Sequence, residues 1–364
     1  MRRCALLAGV AVLLLPAIAL GSAHARFLRR AMPAGHTKVF VGQTDISYVD
    51  AFAREAGREP RGGMWYTNVY EDPSALDADL DQVARAVASH PGLEVNLGVS
   101  LGSVSTPEAP RTPAIAAGAY DATIVELARR LRSLPTTVFV RVGYEFDLLG
   151  GQYGPAAAYR LAYRHVVDVL RAHGVRNAVY VWHSAGAFWR AGDQSLLGRL
   201  QGDEGVPVPA YDAEPITAFY PGRGYVDAFG ISYWEDTCCF GRSSAAAREL
   251  YERRTRELIA QARAIDPAHP LPVVVAESTP AYVGADSGAA SVAWIDQALK
   301  LMADEDVRVW SLISMDWGDS AFFSEPFWNG YWPDARISHY ADARAAFLTG
   351  TAGPRYLFGD VAGP

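Results

Sequence analysis

Cysteine is almost absent from this chain: three residues in 364, at Cys4, Cys238 and Cys239. A disulfide framework is thereby excluded, and the fold must rest on an apolar core. Basic residues are in deficit as well, 33 Lys and Arg against 40 Asp and Glu for a formal charge of −7, which makes nucleic acid and anionic membrane poor partners. No apolar run reaches the roughly 18 residues a membrane span needs, since the longest, Ala5–Leu20, is interrupted by Pro16. There is no Pro/Ser-rich linker, repeat or low-complexity tract to divide the chain. No G-x-G-x-x-G follows the first candidate strand, which argues against a dinucleotide fold. That strand ends in Val41-Gly42-Gln43-Thr44 rather than in H-x-H, and the eight histidines show no ligand spacing, so no metal or other cofactor is expected.

What is present begins with an export signal. Arg2 and Arg3, the apolar run, and the small-x-small triplet Ala23-His24-Ala25 have the form of a signal peptide over residues 1–25. Its removal takes two arginines and no acid, leaving 31 basic residues against 40 acidic ones. The remaining 26–364 read as one domain, secreted or periplasmic, with no membrane association after cleavage and expected to act as a monomer.

Short β-branched runs alternate with helical patterns along this domain. Candidate strands are Lys38–Val41, Gly63–Tyr66, Leu93–Val99, Val138–Val142, Ala178–Val181, Ala228–Ser232, Val273–Ala276 and Val309–Ile313. Between them, sets such as Leu80, Val83, Ala84 and Val87, or Tyr159, Ala162, Tyr163, Val166, Val167 and Leu170, keep the spacing of a helix with one buried face. Eight strand–helix units in this length favour a (β/α)8 TIM barrel.

Two of the strands lead into glutamates, in VFVRVGYEFD (Val138–Asp147) and VVVAESTP (Val273–Pro280). As strands four and seven, they set Glu145 and Glu277 facing each other across the C-terminal mouth, where barrel enzymes keep their chemistry. Two facing carboxylates are the equipment of glycoside hydrolysis. Seven of the nine tryptophans, Trp65, Trp182, Trp189, Trp234, Trp317, Trp328 and Trp332, fall at strand ends or in the following loops, and as a set they favour a carbohydrate cleft. Asp147, Glu235, Asp236 and Asp316 are further strand-end acids, expected to bind substrate or to be solvated.

At these residues the chain resembles the retaining (β/α)8 glycoside hydrolases, and among them glycoside hydrolase family 26, the β-mannanases with some β-1,3-xylanases and lichenases. The resemblance runs from about Val39 to Trp317. It is carried by Val41-Gly42-Gln43, Arg141-Val142-Gly143-Tyr144-Glu145, Asn177 through Trp182, Tyr220-Pro221-Gly222, Tyr225 through Tyr233, and Ala276-Glu277. It implies an endo-acting β-glycanase with Glu145 as general acid/base and Glu277 as nucleophile. Tyr233 would then donate a hydrogen bond to the nucleophile, a service open to Arg141 too, and Trp317 would floor the subsite of the cleaved sugar. Tyr144, Trp182, His183 and Trp234 complete the expected substrate contacts. Two positions depart from the family: Tyr144 stands where it usually has histidine, and Trp182-His183-Ser184 replaces its usual Trp-Ser-Pro, which implies remodelled subsites.

Two other functions are open to the same residues: a catalytically silent glycan-binding barrel and a metal-dependent barrel hydrolase. For Glu145 the competing structural role is a salt bridge to Arg141. Cys238 and Cys239 allow two buried thiols, an intermolecular bond, or a vicinal disulfide forming a flat knob beside Trp234, the outcome favoured here because the loop lies on the catalytic face.

Overall fold

The computed structural model describes residues 23–71, 73–102, 111–148, 153–186, 215–234, 245–280, 287–319 and 334–359. Eight parallel strands close on themselves: β1 (Thr37–Val41), β2 (Gly62–Asn68), β3 (Glu94–Ser100), β4 (Val138–Val142), β5 (Ala178–Ser184), β6 (Ala228–Trp234), β7 (Val273–Thr279) and β8 (Val309–Leu312). Pairing of β1 with both β8 and β2 completes the ring, so the fold is the expected (β/α)8 barrel. A short β9 (Tyr356–Leu357) joins the lower end of β1 from outside, pairing with Thr37 and Lys38.

Helices cover the ring because one face of each is apolar. They are α1 (residues 23–31), α2 (Ile46–Ala56), α3 (Pro73–Ser89), α4 (Thr112–Ala116), α5 (Asp121–Ser133), α6 (Ala156–Ala172), α7 (Ala245–Ala264), α8 (Gly288–Asp304) and α9 (Ala341–Gly350). In α3 the buried stripe is Leu76, Leu80, Val83, Ala86 and Val87; Ala84, expected on that stripe, is exposed. On α8 Trp294 joins the buried face with Ile295, Ala298 and Met302.

The barrel interior has its own apolar cluster, including Phe40, Phe139, Val179, Val181, Val274 and Val309, and the end of α1 with the residue after it seals it from below through Ala31 and Met32, backed by Phe27 and Leu28. All four sealing residues follow the expected cleavage point. Inside this lower half Lys38 holds both oxygens of Glu94 at 2.7 Å, with Arg61 on the same carboxylate at 3.2 Å.

One irregularity decides where the chemistry sits. Residues of a strand alternate between interior and helix-facing sides, and strict alternation from Val274 would turn Glu277 away from the barrel. Between β6 and β7 the register slips: Ile231 lies opposite Val275, but Ser232 lies opposite Glu277, leaving Ala276 as an extra residue. This β-bulge turns Glu277 onto the interior face with Ser232. The carbonyl of the extra residue Ala276 accepts a hydrogen bond from Asn96 Nδ2 of β3 at 2.9 Å, and the same amide donates to Ser311 Oγ at 2.9 Å. Asn96→Ala should therefore leave a buried carbonyl unpaired and lower stability by about 1–3 kcal/mol, read by denaturant unfolding; an unchanged midpoint would show that the bulge holds itself.

Candidate active site

Glu145 sits in the turn that ends β4, at a left-handed φ of 52°, an uncommon conformation for a residue with a side chain. Gly143 prepares the turn. Its φ is 55°, and a Cβ there would lie 2.7 Å from Leu101 Cδ1 and 2.7 Å from Tyr159 Cε2, so no larger residue fits. Backbone bonds tie the turn to both neighbouring strands, from Gly143 N to Val99 O of β3 (2.8 Å) and from Phe146 N to His183 O of β5 (3.2 Å). Asp147 tightens the second tie, accepting from Ser184 Oγ and from Ala185 N, each at 2.7 Å. Asp147 is thus a buried loop clamp, which corrects the expectation that it binds substrate or faces solvent.

Opposite, Glu277 is 6% exposed and is ion-paired with Arg141, whose side chain is fully buried. The bond runs from Arg141 Nη1 to Glu277 Oε1. The salt bridge weighed for Glu145 therefore belongs to Glu277. Arg141 packs against two rings that also touch each other, with its guanidinium carbon 4.9 Å from the centre of Tyr66 and 5.4 Å from that of Tyr144; the rings meet edge to face at 5.3 Å. The space for this cluster comes from Gly98 on β3, where a Cβ would stand 2.6 Å from Tyr66 Cδ1 and 3.1 Å from Arg141 Nη2. Burial, and after it the negative charge of Glu277, raises the hydroxyl pKa of both tyrosines, so both are neutral.

A chain of hydrogen bonds joins the two carboxylates. Arg141 Nη1 reaches His183 Nδ1 at 3.4 Å, His183 Nε2 lies 3.0 Å from Ser232 Oγ, and Ser232 donates to Glu145 Oε1 at 2.7 Å. Burial, reinforced by the Arg141 charge, holds the His183 pKa well below its ordinary value, so the imidazole is neutral. The carboxyl of Glu145 moves the other way. Enclosure in the protein, followed by repulsion from Glu277, raises it to about 8, against lowering by Ser232 and Arg141. At neutral pH one carboxyl is protonated while the other faces a permanent cation.

Strand parity corrects two sequence expectations and burial a third. Tyr233 follows inward-facing Ser232 and so turns outward: its ring packs on Tyr251 and Trp294, and its hydroxyl donates to Glu252 of α7, not to Glu277. Trp182 precedes inward-facing His183 and is also outside the barrel wall, fully buried and stacked parallel on Phe146 at 5.1 Å, away from any substrate. His183 points inward but has no exposed surface; it supports the site from beneath. Tyr144 stands beside the Arg141–Glu277 pair, and Trp234 shares the parity of Ser232. Trp317 begins a 3-10 turn after β8 and is 2% exposed. Cys238 and Cys239, with Glu235, Asp236, Trp189, Trp328 and Trp332, lie outside the described residues. Ser232 and Tyr66 were not anticipated. The signal for Ser232 was a lone small polar residue in the strand AFGISYW.

No family model matches the chain. A curated β-1,3-xylanase from a Vibrio species is 24% identical over 331 residues, covering 82% of this chain but 61% of that protein's length. Among solved structures, a GH26 β-mannanase from Bacteroides ovatus aligns over 93% of this chain and 95% of its own, with a TM-score of 0.59 at 14% identity. GH26C from a Muricauda species gives 0.60 at 14% identity, over 93% and 90%. A modular endo-β-1,4-mannanase from Cellulomonas fimi gives 0.60 at 16% identity, over 91% and 74%. The fold is therefore a (β/α)8 barrel of the kind that carries glycoside hydrolases. Within that class it is similar to the barrels of glycoside hydrolase family 26.

Two outcomes follow from this geometry. Tyr233→Phe should remove a partly buried hydrogen bond to Glu252, lowering stability by about 1–2 kcal/mol while leaving turnover unchanged; a large fall in turnover with unchanged stability would return Tyr233 to the site. Glu145 has a folded pKa raised above its ordinary 4.5 to about 8, so its contribution to stability is complete below 4.5 and is lost as pH rises through 8. Glu145→Gln, which stays neutral, should match the wild type in Tm at pH 4 and exceed it progressively up to pH 9. A constant difference across that range would mean that Glu145 titrates normally.

Proposed function

We propose that the protein is a retaining glycoside hydrolase that cleaves β-linked bonds within a polysaccharide. Glu145 is its general acid/base and Glu277 its nucleophile. The observation that carries the reading is the division of charge between the two carboxyls: Glu277 bonded to the buried Arg141, Glu145 raised to about 8. A double displacement needs one carboxylate ionised to attack and one acid still protonated near neutral pH. Glu145 gives its proton to the glycosidic oxygen as Glu277 attacks the anomeric carbon; the bond to the leaving sugar breaks and a glycosyl ester forms on Glu277. Glu145, now a carboxylate, takes a proton from water, whose oxygen displaces Glu277 and restores the starting configuration. Arg141 holds one oxygen of Glu277 so that the other faces the sugar, and the neutral Tyr144 ring walls the same end of the site.

The likeness to proteins named as β-mannanases and a β-1,3-xylanase supports a β-glycan as substrate class and endo action as mode. The N-terminal pattern Arg2 through Ala25 supports export, which suits an enzyme acting on a polymer outside the cytoplasm. The reaction needs no metal or other cofactor.

A panel of mannans, xylans, mixed-linkage glucans and bacterial exopolysaccharides, read by product mass, tests the function. At least one polymer should be shortened, with kcat/KM falling along a basic limb near pH 8. Glu277→Ala should lower turnover by at least about 10³-fold on every substrate, and Glu145→Ala by about 10²–10⁴-fold on polymer but far less on activated aryl glycosides. A protein that is retarded by a glycan in an affinity gel yet never shortens it is a binder, and the proposal fails.

A further inference from the structure

Glu145 has two carboxyl oxygens, and as an acid it can carry its proton on either. The hydrogen bonds beneath it settle which one by donor and acceptor count. Arginine has only donors. Where Arg141 Nη1 meets His183 Nδ1 at 3.4 Å, the histidine nitrogen must present its lone pair. A neutral imidazole then carries its hydrogen on Nε2, 3.0 Å from Ser232 Oγ, and the hydroxyl must accept it. The hydroxyl's own hydrogen is directed to Glu145 Oε1 at 2.7 Å. Each bond fixes the direction of the next, starting from a cation that cannot lose its proton.

We propose that Ser232 is a positioning residue for Glu145: set by Arg141 through His183, its hydroxyl always donates to Oε1, so that the acidic proton resides on Oε2 and is presented to the glycosidic oxygen. The chain orients protons and does not conduct them, because passing one along would require Arg141 to give one up. After transfer the Ser232 bond remains, now to a carboxylate, which it stabilises. This rests on the acid role of Glu145, but the hydrogen-bond count stands without it. The groups around Glu145 that bear on its titration are Glu277 from β7, Arg141 from β4, His183 from β5, Asp147 and Tyr144 in its own turn, and Tyr153. Of these Ser232 partners only His183, which stays neutral, so the hydroxyl can be removed without altering any charge.

The test is the titration of Glu145 by 13C NMR on protein with labelled glutamate carboxyls, assigned against Glu145→Gln, in the wild type, Ser232→Ala and Ser232→Thr. Because the hydroxyl favours the ionised form, Ser232→Ala should move the Glu145 midpoint above about 8, and Ser232→Thr should restore it. In the same proteins kcat/KM on polymer should fall about tenfold in Ser232→Ala, with its basic limb displaced upward, while an activated aryl glycoside is cleaved as before. An unmoved midpoint in a Ser232→Ala protein of wild-type Tm overturns the inference. A midpoint that moves in a protein hydrolysing no glycan supports the hold of Ser232 on Glu145 and removes the hydrolase reading instead.

Discussion

The site depends on one buried ion pair, Arg141 with Glu277. Neither group is tolerable alone at that depth: breaking such a pair by removing one partner costs about 3–5 kcal/mol, because the other charge is left uncompensated. The barrel supplies what the pair requires from three strands. β4 brings the guanidinium, the bulge in β7 brings the carboxylate, and Gly98 on β3 leaves room for the guanidinium and the two rings packed on it. With Arg141 committed to Glu277, Glu145 is left with enclosure and repulsion, and its pKa rises. One cation shared unequally between two acids produces the division of charge on which the proposed chemistry rests.

The second constraint is the turn that carries Glu145. A non-glycine residue at φ 52° stores strain of order 1–3 kcal/mol, and it persists only where its surroundings fix it. Here the backbone ties to β3 and β5 and the Asp147 clamp fix it. The acid is thereby held over Ser232 by rigid strands, not by a free loop. His183 and Arg141 extend the same support down into the barrel, so the acid is oriented by one hydrogen-bonded column, while its protonation comes from enclosure and the repulsion of Glu277.

Much of this was legible in the sequence, for physical reasons. Buried parallel strands read as short apolar runs, often β-branched, and all eight were placed within a few residues of their observed bounds. The glutamates were visible because a carboxylate ending an apolar run demands explanation. Pairing was not legible. Nothing near Glu277 in sequence neutralises it, and its partner lies 136 residues away on another strand. Faces were not legible either, since Tyr233 and Ser232, or Trp182 and His183, differ by one position and point to opposite sides of the wall. The bulge at Ala276 resets that parity for Glu277, and no local residue pattern announces it. The sealing helix over residues 23–31 and the two-residue β9 are too short or too close to the N-terminal signal for periodicity to find.

The central claim is that Glu277, the carboxyl paired with Arg141, is the residue that attacks. Trapping the intermediate tests it most directly: incubation with a 2-deoxy-2-fluoro β-glycoside matched to whichever glycan is hydrolysed, followed by peptide mass spectrometry. The account predicts one sugar per chain, esterified to Glu277. A sugar on Glu145, or turnover with inversion of the anomeric centre and no adduct, would contradict it.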